Sequence, residues 1–180
     1  MTKTNCKLEK ELREWLTGHG RVVVAGICNP ISMDDFVGVK IIQDLQGKLP
    51  KDVSLIECET VPESFMDEIA EFKPSHVLLI DAAVMQMKPG DARLFDSEKV
   101  TSFPAISTHM LPLRVFCEYI TKMSGARIAL LLIEPYNTEF GEGLTGKVQK
   151  TATEIETSLV RLLGPKVVIQ GDEPKSPRNF

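Results

Sequence analysis

An α/β fold is what this chain predicts: three layers, α/β/α, around a mostly parallel twisted sheet. Three observations carry the prediction. Val22-Val23-Val24-Ala25, Val77-Leu78-Leu79-Ile80 and the run from Ile128 to Ile133 are short, apolar and uncharged, as strands covered on both faces must be. Other segments repeat their apolar residues at helical spacing. The two kinds of segment alternate along the chain, which argues for a sheet flanked by helices on both faces.

The first helix is read from Leu8, Leu12 and Leu16, with Glu9, Lys10, Glu11 and Arg13 between them and Gly18 and Gly20 after them. It precedes the first strand and is therefore an addition to the alternating core, placed to cover a sheet edge or to meet a partner. The strand Arg21 to Ala25 follows. Val37, Ile41, Leu45 and Leu49 mark a second helix from about Phe36, stopped by Pro50. Val53 to Cys58 is a strand. Phe65, Met66, Ile69 and Phe72 give a third helix, closed by Lys73-Pro74. After the strand Val77 to Ile80 comes a turn at Pro89-Gly90 and a short strand from Ala92 to Phe95. Leu113, Phe116, Cys117, Ile120 and Met123 form a helical stripe, with Pro112 near its first turn. Ile128 to Ile133 is a strand. Thr145 is the expected N-cap of a long helix ending at Leu163, followed by a short strand, Val167 to Ile169, and a frayed polar tail. The expected organisation is a single domain over 1–180: a helical extension (1–20), the α/β core (21–164), and the strand and tail (165–180).

Composition narrows the function. The chain has 180 residues, 43% hydrophobic and 26% charged, an ordinary globular mixture that can bury a core without staples. The net charge is -4 and no basic cluster occurs, so nucleic acid is not an expected partner. The four cysteines, at positions 6, 28, 58 and 117, make no CxxC pair. Cys58 and Cys117 fall in apolar patterns and are expected as small core residues. The N-terminal stretch has no apolar signal-peptide core and no run is long enough to span a bilayer, so the cytoplasm is the expected compartment. A monomer is the default.

The candidate chemistry sits at strand ends. In a parallel sheet, ligands bind in the crevice beyond the carboxyl ends of the strands. The first strand leads into Asn29-Pro30 and then Met33-Asp34-Asp35, and the strand Val77 to Ile80 ends in Asp81. Asp35 and Asp81 are therefore expected to face each other, with His109 following in a polar loop. Two carboxylates and an imidazole suit a borderline divalent metal or an acid/base site. The plainer alternatives are that Asp34 or Asp35 caps the second helix, that Asp81 is a solvated loop acid, and that His109 is exposed. His19 is expected in solvent, and His76 enters its strand at the wrong end for a top-face site. Cys28 with His109 would suit nucleophilic attack, but nothing nearby lowers a thiol pKa. Ser32 lacks a nucleophile elbow. Gly26-Ile27-Cys28-Asn29-Pro30 has only the first glycine of a dinucleotide fingerprint. It is also similar to the opening motif of peptidyl-tRNA hydrolases, whose catalytic histidine has no counterpart between His19 and His76.

In order, these pieces resemble the nickel–iron hydrogenase maturation endopeptidases, in particular the branch serving membrane-bound, energy-converting hydrogenases. The resemblance runs from Val22 to Leu163. Gly26 through Asp34-Asp35 to Gly38 resembles the opening motif, and Leu79-Ile80-Asp81-Ala82 the second. Pro89-Gly90 with Leu94-Phe95 resembles the third, and Ser107-Thr108-His109-Met110-Leu111-Pro112-Leu113 the histidine motif. Pro135 with Gly143-Leu144-Thr145 resembles the last. It implies that Asp35, Asp81 and His109 are the metal-contacting and catalytic trio, with Asp35 where many members carry glutamate and Cys28 where the motif has glycine. It further implies an endopeptidase that removes a C-terminal extension from the hydrogenase large-subunit precursor once nickel is in place. The nickel then arrives with the substrate, which fits the lack of any HExxH motif. A non-catalytic nickel-sensing or chaperone-like module that binds the large subunit would use the same trio.

Overall fold

The computed structural model describes residues 3–27, 29, 31–97 and 110–165. Its centre is a five-stranded sheet built from β1 (Val22–Ile27), β2 (Val53–Glu59), β3 (His76–Ala82), β4 (Ala92–Asp96) and β5 (Arg127–Ile133), in the order β2-β1-β3-β5-β4. The β1–β2, β1–β3 and β3–β5 pairings are parallel, while β4 runs antiparallel to β5 at the edge. Every residue of β1 and β3 is buried, as uninterrupted apolar runs demand.

Helices cover both faces. On one side α1 (Lys3–Trp15), α2 (Val37–Leu45) and α5 (Gly146–Leu163) bury Leu12, Ile41 and Leu159 against Val24, Ile80 and Leu131. On the other, α3 (Met66–Phe72) and α4 (Met110–Ser124) bury Ile69, Phe116 and Ile120 against Ala25, Leu79 and Leu130. The added helix α1 packs on the edge strand β4 and on α5. There Glu9 accepts from Arg161 at 2.9 Å, and Arg127 reaches the Trp15 carbonyl at 3.2 Å.

Two local expectations are revised. The second helix ends at Leu45 rather than Leu49: Gln46 leaves the helical region with a ψ of 130°, and Gly47 follows with a left-handed φ of 74° that completes the turn before Pro50 is reached. A 3-10 turn, Pro62–Phe65, precedes α3, with proline at its start. Thr145 is the N-cap residue of α5, as expected, though its side chain makes no cap hydrogen bond. The strand expected at Val167 to Ile169 and the tail lie outside the described residues. No helix among the described residues is long and apolar enough to cross a membrane.

Candidate functional site

The carboxyl edge of the sheet is assembled from the segments that leave β1, β3 and β5. After β1 the chain turns back on itself through a 3-10 turn, Met33–Phe36, before entering α2. The Asn29 amide donates to Asp35 Oδ2 at 2.8 Å, and the Asp35 amide donates to the Ser32 carbonyl at 2.9 Å. Asp35 is half-buried in this turn. Neither acid of the pair caps α2 through its side chain, so the capping alternative does not hold.

Asp81 is buried, 1% exposed, and lies opposite Leu132 of β5. It follows Ile80, whose register partner in β1 is Gly26. The 3-10 turn that carries Asp35 packs against β3. Neighbouring strands thus deliver both acids to one edge, as the spacing predicts, and the plainer alternative of a solvated Asp81 does not hold, since it is buried. Alternation assigns Asp81 to the side of Leu79 and Ala83, the face on which α4 packs Phe116 and Ile120. His109 itself, one residue before α4, lies outside the described residues, as do Cys28 and Pro30. Among the described residues, no three His, Cys, Asp or Glu side chains gather as a metal-holding group.

Asp34 has a different office from its neighbour. It is fully buried, and its carboxylate accepts four hydrogen bonds from the segment after β5. Thr145 donates its amide to Oδ1 at 2.7 Å and its hydroxyl to Oδ2 at 2.8 Å. The amides of Tyr136 and Asn137 donate to Oδ2 at 2.9 and 3.0 Å. Main-chain bonds reinforce the junction, with Asp34 N to Asn137 O at 3.0 Å, Met33 N to Gly141 O at 3.1 Å and Gly141 N to Ile31 O at 3.0 Å.

Glu134, which the sequence did not single out, is a third buried carboxylate at this edge, 6% exposed. Its Oε2 accepts from the amides of Met85 at 2.7 Å and Met87 at 3.2 Å, tethering the segment that follows Asp81. The only signal in the sequence is an acid directly after a buried strand, in Ile133-Glu134-Pro135. Around the same edge Ile31, Val84, Tyr136 and Phe140 are exposed, Phe140 to 85%.

The remaining candidates stand elsewhere. His76 is buried at the amino end of β3, edge-on to Trp15, away from the carboxyl edge. His19 is half-buried rather than solvated, with Nδ1 2.7 Å from the Leu16 carbonyl oxygen. Cys58 and Cys117 are buried among apolar neighbours, as expected; burial, with Glu118 beside it, pushes the Cys117 thiol up to about 12.

A family model described as hydrogenase maturation protease matches residues 39–161 of the chain. The chain belongs to this family. It is a peptidase, as the family's members are. A hydrogenase maturation protease homologue from Methanocaldococcus jannaschii is 27% identical over 164 residues, covering 87% of this chain and 96% of its own. The hydrogenase 3 maturation protease of Escherichia coli K12 is 24% identical over 142 residues, 79% of this chain and 88% of its own. Among solved structures, the NiFe hydrogenase maturation protease HycI from Thermococcus kodakarensis superimposes with a TM-score of 0.78 at 29% identity, over 85% of this chain and 98% of that one. The hydrogenase maturating endopeptidase HybD from E. coli gives 0.67 at 25% identity, over 79% of this chain and 91% of that one. The α/β/α architecture read from the sequence is the fold these proteases share.

Proposed function

We propose that this maturation protease removes the C-terminal extension of a nickel–iron hydrogenase large-subunit precursor after nickel insertion. Asp35, Asp81 and His109 form the site that meets the nickel, which the substrate carries. The observation that supports this reading is the delivery of Asp35 and Asp81 to one edge of the sheet by adjoining strands. The names of the relatives point the same way, since the T. kodakarensis and E. coli proteins are called maturation proteases of hydrogenases. The enzyme works in the cytoplasm as a single-domain monomer, on the precursor of an energy-converting hydrogenase.

The chemistry follows from the donor set. A nickel ion held by substrate thiolates gains oxygen and nitrogen donors from the trio, so loaded precursor binds more tightly than empty precursor. Specificity is then a difference in affinity between two states of one substrate. Once docked, the ion polarises the scissile carbonyl or acidifies a water, and a carboxylate left off the metal serves as general base.

The deciding experiment incubates the purified protein with nickel-loaded and nickel-free precursor and reads the precursor's mass. Loss of the C-terminal peptide from the loaded form alone, abolished in Asp35→Asn, Asp81→Asn and His109→Ala, is the expected result. Equal cleavage of both forms, or full activity in those variants, overturns the reading. An unchanged mass with retained binding identifies a nickel-sensing module instead.

A further inference from the structure

We infer that Asp34 is the positioning residue of this site: its carboxylate clamps residues 136–145 onto the turn that carries Asp35, fixing the acid and the wall beside it. The inference rests on Asp35 belonging to the site, as proposed above.

A carboxylate withdrawn from water is tolerated only when its acceptor positions are filled. Asp34 is fully buried and takes four donors, about as many as a carboxylate accepts. Oδ2 takes three of these bonds and Oδ1 one, and the fully buried carboxylate presents no surface to a substrate or a metal ion, so Asp34 acts through what it holds. What it holds is the segment that leads into α5, an 18-residue helix whose amino end favours a negative charge. The paired main chains of Ile31, Met33 and Gly141 complete the junction. Met33, directly before Asp34, has a φ of 34°. A non-glycine residue keeps such a φ only where its surroundings impose it. The result is two consecutive acids in opposite environments, Asp34 sealed and Asp35 half-open. The clamped segment also carries Tyr136 and Phe140, 70% and 85% exposed.

The test uses Asp34→Asn, which keeps the shape but puts an NH2 group among four donors, together with Thr145→Val and Thr145→Ser. Two readouts are taken: kcat and KM for precursor cleavage per folded molecule, and amide exchange at Tyr136, Asn137 and Thr145 in the free protein. The expected result for Asp34→Asn is a fall in kcat on the order of 100-fold, greater than any rise in KM, because small misplacements of a reacting group cost that much. Exchange at the three amides accelerates while melting stays cooperative. Thr145→Val loses roughly 10-fold, one charge-assisted hydrogen bond's worth, and Thr145→Ser, which keeps the hydroxyl, returns to near wild-type activity. An Asp34→Asn protein that melts earlier but keeps its kcat overturns the inference, since Asp34 then only stabilises. If Asp34→Asn does not fold, equal activity of the two Thr145 variants overturns it. If the wild type leaves the precursor intact, the reading of the substrate falls instead. In that case amide exchange still decides the clamp: faster exchange in Thr145→Val than in Thr145→Ser upholds it, and identical rates overturn it.

Discussion

Gly38, in the first turn of α2, lies directly over the carbonyl of Ile80, the residue before Asp81. A Cβ at Gly38 would stand 2.5 Å from the Ile27 carbonyl oxygen and closer still to that of Ile80. Backbone meets backbone here, so no side chain can yield. The contact lets the helix that follows Asp35 approach the strand that carries Asp81. Gly38→Ala is expected to destabilise the protein by roughly 3 kcal/mol, the upper end of overpacking costs. Urea denaturation of the variant against the wild type measures it; a change within error of zero contradicts the close approach.

Glu134 governs the other side of the edge. Removing its carboxylate in Glu134→Ala leaves the Met85 and Met87 amides without their acceptor. A hydrogen bond to a charged group contributes about 1.5–3 kcal/mol, and a loss in that range is expected from denaturant melts. Amide exchange at Met85 and Met87 should accelerate. Glu134→Gln, which keeps one carbonyl oxygen, should fall between the variant and the wild type.

His76 gives the protein a defined acid sensitivity. Burial, then Arg127 and His19, hold its pKa below the ordinary 6.5. A hydrogen bond with the Trp15 main chain opposes this shift without cancelling it. In the unfolded chain the ring takes up a proton near its ordinary pKa, whereas the folded protein resists it. The stability is therefore fully present above 6.5 and declines as the pH falls toward the lowered folded value. Thermal melts at pH 7.5 and about pH 5.5 should show a drop in the wild type that is smaller in His76→Phe. An equal drop in both removes His76 from the explanation.

Cys117 should be chemically silent. A thiol pushed up to about 12 carries almost no thiolate near neutrality, and thiolate is the reacting form. Iodoacetamide applied to the native protein is expected to label the exposed Cys6 and to spare Cys117 until denaturant is added. Mass mapping of the labelled peptides reads this directly, and native labelling of Cys117 contradicts its burial.

The strands of this fold are legible because β1, β3 and β5 are near-continuous apolar runs that only a two-sided core tolerates. The direction of β4 is not, because Ala92–Asp96 mixes charge and apolar residues and its partner β5 lies beyond a whole helix in the chain. Asp35 and Asp81 can be proposed from the sequence because each leaves a recognisable strand. Dividing the labour between Asp34 and Asp35 cannot be read there. The groups that claim Asp34 lie 102 to 111 residues further along, and helix-start chemistry predicts the wrong partner for it. Thr145 is the cap residue of α5, as the sequence predicts, but its hydroxyl is spent on a distant carboxylate that no local pattern announces.

The span of the Asp34–Thr145 link has a bearing on how the protein comes into being. One half of the clasp is synthesised early, while the other emerges 111 residues later. A half-made copy on the ribosome holds Asp34 and Asp35 but not the four donors that fill the Asp34 carboxylate. The buried Asp34 carboxylate therefore meets its donors only once residues 136–145 have been made.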